Sequence, residues 1–171
     1  MIIKSIGMVV AIVIIIVLIQ ALLLQSFHSN LPAGIEQRTT EVGWCMLFTC
    51  EKISYPTAAN VTEPSLEIGF DFGPEDLKFG QIPKGGGGKR FVNIKNDDEN
   101  QAKVKLVSFG NISSYIQFNN NDFILDSGES IEVRVDFKTE TEMESGRYSG
   151  GVTLVRISPK HELLNFLIRW F

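Results

Sequence analysis

The chain has 171 residues, 16 Lys and Arg against 20 Asp and Glu, and a formal net charge of −4. Lys4 is the only charged residue before Glu36, so the portion beyond the first 25 residues carries −5, which would repel a phosphate backbone and excludes a general nucleic-acid binder. Two histidines and two cysteines, with His28 and His161 more than a hundred residues apart, make a poor zinc set.

Residues Ile6 to Gln25 read IGMVVAIVIIIVLIQALLLQ, without a charge and with Gln20 as the one interior polar group. A helix of that length spans roughly 30 Å, the core of one bilayer. A secretory signal has a shorter apolar region ending in small residues, whereas this run ends in LLLQSFHS, so the expectation is a retained span over residues 1–25. Lys4 precedes it and the next cation is Arg38, which places the N-terminus in the cytoplasm and the rest outside, in a single-pass cell-membrane protein. The span holds no ionisable group and offers no proton relay of its own.

Residues 26–64 form a juxtamembrane segment. Leu31-Pro32-Ala33-Gly34 punctuates the end of the membrane helix, and Trp44-Cys45-Met46-Leu47-Phe48 is apolar and aromatic. That patch either packs under the following domain or sets Trp44 and Phe48 against the membrane interface or a partner protein. Cys45 and Cys50 lie on the oxidising side and are candidates for a disulfide. Bridged Cα atoms sit about 4.4–6.8 Å apart, while an extended run of five residues covers roughly 16 Å. A bridge therefore requires the chain to turn back within Met46-Leu47-Phe48-Thr49. Asn60-Val61-Thr62 and Asn111-Ile112-Ser113 satisfy the glycosylation pattern at Asn60 and Asn111, a tripeptide permissive enough to occur by chance.

From Pro64 onward the hydrophobic period is two. Leu66, Ile68, Phe70 and Phe72 alternate with Glu67, Gly69 and Asp71, and the pattern recurs at Leu77/Phe79, Val92/Ile94, Val104/Leu106 and Ile131/Val133/Val135/Phe137. Shorter candidates are Tyr115–Phe118 and Phe123–Leu125, with a longer run from Gly151 to Ile157. Turn signals separate them at Gly73-Pro74, Gly85 to Gly88, Asn96-Asp97-Asp98, Asn119 to Asn121, Asp126-Ser127-Gly128 and Ser145-Gly146. Seven or eight short strands without a long amphipathic helix predict an all-β antiparallel sandwich over residues 65–158, with Ile68, Phe70, Val92, Ile94, Leu106, Val133, Val135 and Leu154 inside.

Phe79-Gly80-Gln81-Ile82-Pro83-Lys84-Gly85 followed by Arg90-Phe91-Val92-Asn93-Ile94-Lys95-Asn96 resembles the first strands of immunoglobulin-like modules of the hydin and major-sperm-protein type. Phe123-Ile124-Leu125-Asp126-Ser127-Gly128-Glu129-Ser130 and Gly146-Arg147-Tyr148-Ser149-Gly150-Gly151-Val152 add to the likeness, which covers about residues 65–158. It implies an immunoglobulin-like β-sandwich in a binding or scaffolding role, as in small membrane-anchored surface proteins of archaea and bacteria. It transfers no catalytic residues, and the immunoglobulin disulfide is absent because neither cysteine falls within 65–158.

Pro83-Lys84-Gly85-Gly86-Gly87-Gly88-Lys89-Arg90 is not a phosphate-binding loop, since Pro83 stands where that motif has its first glycine and Arg90 where it has Ser or Thr. Four glycines instead suggest a mobile strand connection. The cations Lys84, Lys89 and Arg90 around it suit a solvated hairpin tip or contact with an anion or lipid headgroup. Asp97-Asp98-Glu99 and Asn119-Asn120-Asn121-Asp122 offer oxygens but lack EF-hand spacing. No catalytic, cofactor or metal residues are assigned.

Residues 159–171 form an apolar C-terminal segment, too short to cross a bilayer and too apolar to stay in water. It packs on the domain, or docks on a partner or the membrane interface through Phe166, Ile168, Trp170 and Phe171. The leading expectation is a non-enzymatic, membrane-anchored binding or scaffolding protein, an accessory subunit of a larger complex, with the bilayer and an unidentified protein as partners and no cofactor. A pilin-like filament subunit is the alternative, weakened by the lack of an acidic residue early in the helix; a carboxylate- or metal-dependent enzyme ranks third.

Overall fold

Alternation of apolar and polar residues translates into nine strands among the described residues of the computed structural model, which are 14–16, 18, 19, 22, 37–45, 47–64 and 77–170. The strands are β1 (Thr39–Cys45), β2 (Phe48–Thr62), β3 (Leu77–Pro83), β4 (Gly87–Lys95), β5 (Ala102–Gly110), β6 (Ile116–Phe118), β7 (Phe123–Leu125), β8 (Ser130–Lys138) and β9 (Gly146–Pro159). Two 3-10 helices complete the set, η1 (Ser113–Tyr115) and η2 (Glu162–Trp170). One sheet runs β1-β2-β9-β5-β7 with β3 added to β2, and a second sheet runs β4-β8-β6. All pairings are antiparallel except β2 with β3.

The two sheets share one core. Val133, Val135 and Phe137 of β8 and Val92 and Ile94 of β4 meet Val104 and Leu106 of β5, Val152 and Leu154 of β9, and Ala59 and Val61 of β2. The fold is therefore all-β in two layers, and the six described members of the expected interior are buried. Ile68 and Phe70, with the strand expected over Leu66–Phe72, lie outside the described residues.

The larger sheet also takes in the segment expected to be juxtamembrane, since β1 and β2 both fall within residues 26–64 and β2 is an interior strand. Fifteen residues long, β2 pairs with β9 along one edge while its other edge is shared by β1 over Thr39↔Ser54 to Cys45↔Phe48 and by β3 over Thr57↔Leu77 to Thr62↔Pro83. Its alternation is disguised. Phe48, Cys50, Lys52 and Ser54 are the buried positions in its first half, and two of these are polar. Ser54 Oγ satisfies itself on Thr153 Oγ1 at 2.8 Å, as a buried hydroxyl must.

The glycine run departs from the expected mobile connection. Gly86 N–H donates to Pro83 O at 3.0 Å to close a tight turn between the sheets, and Gly87 and Gly88 already belong to β4, opposite Lys138 and Phe137. A Cβ on Gly88 would lie 2.9 Å from the Phe79 ring and 3.2 Å from Ile82. Glycine is needed there for close packing. The cations nearby are largely committed to the fold: Lys84 Nζ lies 2.6 Å from Glu63 Oε1, and Arg90 donates to Lys78 O at 2.7 Å while covering the Phe79 ring.

The expected membrane span falls mostly outside the described residues. Its described positions, Ile14, Ile15, Ile16, Leu18, Ile19 and Leu22, are helical and expose their side chains. Among the described residues no helix is long and apolar enough to cross a membrane.

Loops at one end of the sandwich are tied by asparagine. Asn96, fully buried, places Nδ2 within 2.9–3.1 Å of the carbonyls of Asn100, Leu125 and Asp126, and its Oδ1 accepts from Asp98 N–H. Replacing Asn96 by Ala leaves those carbonyls in the interior without their donor, and the expected loss is about 2–3 kcal/mol, read from urea unfolding midpoints. Val133→Asp should cost several kcal/mol, comparable to the whole stability of such a domain, while Glu132→Ala on the exposed face of β8 should stay within about 0.5 kcal/mol. Equal losses from the two β8 substitutions would contradict the strand's facing.

Candidate interaction surface

The face of the large sheet turned away from the core carries a second, smaller cluster. Val155 and Ile157 alternate with the core residue Leu154 and with Arg156, which pairs with Glu51, so they project to the opposite side of β9, where Phe48 and Cys50 of β2 join them. The chain reverses after Pro159: Lys160 N–H donates to Leu47 O at 3.0 Å, and Leu164 N–H to His161 O at 2.9 Å starts η2. Leu167 packs on this cluster and Ile168 is 0% exposed. Helix η2 contacts both β9 and β5.

At three residues per turn, positions i and i+3 eclipse. Leu163, Phe166 and Arg169 therefore form one outward ridge, Leu163 at 85% and Phe166 at 65% exposure, while Ile168 anchors the other side. Beside the ridge lies a shallow groove lined by Gln101, Asn165, Phe166 and Arg169. The Oδ1 of Asn165 is enclosed without a hydrogen-bond partner. Val42 on β1 and Phe91 on β4 are the other large apolar side chains of the sheets left in solvent among the described residues.

Electrostatics on the hairpin side of the large sheet centre on Lys52. It is only 3% exposed, opposite Glu41 across β1, and burial lowers its pKa while the negative charge of Glu41 partly restores it. Tyr55 is shifted upward by burial, with Arg38, stacked 5.1 Å over its ring, pulling the other way. Glu63 is held below the ordinary carboxylate range by hydrogen bonds from Lys84 and Ser145.

The residues singled out from sequence separate into distinct places. Phe48 and Ile168 are interior to the chain's own fold and are not surface contacts, a correction that follows from their burial under η2 and against β9. Phe166 is exposed beside them. The side chains of Trp44, Cys45 and Trp170, and all of Phe171, lie outside the described residues. The chain does turn back between Cys45 and Phe48, as a bridge would require, but the hairpin sets Cys45 opposite Phe48 and Cys50 opposite Gly43. Cys45 and Cys50 are thus diagonal neighbours, a relation that typically separates Cα atoms by about 7–8 Å. Asn60 is exposed within β2, and Asn111 is exposed in a turn where its Oδ1 accepts Ser149 N–H at 2.7 Å.

The two oxygen-rich loops are internally occupied. Asp97 pairs with Lys95, Asp98 accepts from Ser158 Oγ at 2.7 Å, and Asn121 exchanges two hydrogen bonds with the backbone of Leu106 as a strand residue would. Among the described residues no group of three or more His, Cys, Asp or Glu is placed to hold a metal ion. Sequence reasoning missed the buried Lys52, because a lysine between two buried positions reads as a solvent-facing break. It also missed the groove at Gln101 and Asn165, which no local pattern announces.

No protein-family model matches the chain, and no curated protein matches it.

Truncating Ile168 to Ala should cost about 2–5 kcal/mol, whereas Phe166→Ala should leave the thermal midpoint nearly unchanged; paired melting curves of the full chain separate the two. For Lys52, the folded pKa lies below the unfolded one, so the unfolded chain binds more protons in the window up to about 10.5. Stability attributable to this residue is lowest while the amine is charged in both states and recovers as pH rises through the lowered folded pKa. Comparing the parent with Lys52→Met in urea from neutral to alkaline pH should show the parent gaining on the variant. A constant difference would refute the burial of the charge.

Proposed function

We propose that this chain is a single-span, membrane-anchored binding or scaffolding protein whose β-domain, of immunoglobulin-like type, stands outside the cytoplasm as an accessory subunit of a larger membrane complex. One observation carries the reading. Within an uncharged run of twenty residues, Ile14, Ile15, Leu18, Ile19 and Leu22 are helical and expose apolar side chains. Side chains of that size left unpacked on a helix need a non-aqueous neighbour, and a run of that length matches a bilayer core.

Lys4 on the near side of the run gives the orientation. A binding role is supported by the resemblance of the sequence over about residues 65–158 to hydin and major-sperm-protein modules, with which a two-layer sheet domain is compatible, and the Leu163–Phe166 ridge supplies an apolar surface for it. The reading assigns no catalytic group.

Protease added to right-side-out vesicles, with any outer barrier removed, should digest the β-domain and leave a short membrane-protected fragment. Protection that yields only on membrane rupture would reverse the orientation. Purification in mild detergent should recover one stoichiometric membrane protein with the chain; recovery of a self-assembled fibre would instead favour the filament-subunit alternative.

A further inference from the structure

We infer that the ridge formed by Leu163, Phe166 and Arg169 on η2 lies in the bilayer interface, making the C-terminal helix a second, peripheral membrane contact for the domain. The inference rests on the membrane-anchored reading above and adds the surface by which the domain faces the lipid.

The first argument is the shape of η2. Of its four exposed described positions, Glu162 opens the helix, and Leu163, Phe166 and Arg169 run in a line along it, two large apolar side chains and then a guanidinium, while Leu167 packs on the sheet cluster and Ile168 is buried. An interfacial helix needs that division: apolar groups at the depth of the acyl boundary and a cation at its end to remain with the headgroups. A solvated helix has no use for Leu163 at 85% exposure next to Phe166 at 65%.

The second argument is the length of the tether. Thirteen residues, 26–38, separate Gln25 at the end of the apolar run from Thr39 at the start of β1. Fully extended they reach about 45 Å at most. Along the seven residues of β1 to Leu47, whose carbonyl receives the first amide beyond β9, the distance is roughly 25 Å. A tether that can span more than that distance leaves the ridge free to reach the bilayer surface. A tethered surface meets its partner at high effective concentration, so two apolar side chains suffice for docking that they would not sustain from free solution.

The test places the photo-crosslinking amino acid p-benzoylphenylalanine at Phe166 of the full chain, reconstituted in nanodiscs of phosphatidylcholine and phosphatidylglycerol, and identifies adducts by mass spectrometry. The same probe at Leu18 reports the anchor. A third copy of the experiment at Phe91, exposed on the other sheet, reports incidental contact. The expected result is lipid adduct at 166 and at 18, with yield at 166 several-fold above that at 91. Lipid adduct at 18 with none at 166, equal yield at 166 and 91, or crosslinking of 166 to another polypeptide would each overturn the inference while leaving the anchor standing. Absence of lipid adduct at 18 would remove the membrane-anchored reading and the inference together.

Discussion

The pairing of β2 with β9 is the constraint on which everything else depends. Fourteen register pairs, from Phe48↔Pro159 to Val61↔Gly146, join the two longest strands of the described fold. Both faces of this ribbon are used. At one end Ala59, Val61, Val152 and Leu154 close the core against the second sheet; at the other Phe48, Cys50, Val155 and Ile157 form the floor for η2. Because side chains alternate strictly, a one-residue slip of β2 along β9 would exchange these two faces. The crossing of β5 and β9 tightens the same register, since a Cβ on Gly150 would fall 2.0 Å from the carbonyl oxygen of Phe109.

Much of this was legible in the chain. Strand β8 alternates Ile131, Val133, Val135 and Phe137 with charged residues, and it is buried on that face because the second sheet has a single core to cover. Strands β3, β4, β5, β7 and β9 announce themselves in the same way. Strand β2 does not. Its buried face changes along its length, from Phe48, Cys50, Lys52 and Ser54 on one side to Ala59 and Val61 on the other, because the partner layer changes beneath it. No single period of two can describe a strand that serves two cores, and Pro56 in its middle reads as an interruption.

The surface was legible only in outline. Composition said that the last residues need cover, yet it could not divide Ile168, which is fully buried, from Phe166, which is not. That division depends on η2 being a 3-10 helix, whose eclipsed third positions form a ridge that an α-helical reading would spread around the axis. The asparagine-rich turns show a similar limit. Their side-chain amides look like ion ligands in sequence, but Asn96, Asn119 and Asn121 spend them on backbone groups of neighbouring strands. A side-chain amide presents N–H donors and a carbonyl acceptor much as a peptide group does, so it completes a ladder where the strand itself has ended.

Unequal division of apolar surface between the two clusters has a dynamic consequence. The main core draws on both sheets, whereas the floor under η2 is four buried side chains with Leu47 and Leu167 at its margin. Segments with few buried contacts open at lower free energy than the global transition, so η2 is expected to leave the sheet before the main core comes apart. Displacement would bare Phe48, Cys50, Val155 and Ile157 together, an apolar strip on a sheet in which β1 is an edge strand among the described residues. An exposed strip beside an unpaired edge is an association hazard for any β-protein. A covering that holds η2 in place from outside would therefore stabilise the domain through a helix it never has to replace. Ile168 inside and Phe166 outside give that one helix the means to bind its own sheet and its surroundings at the same time.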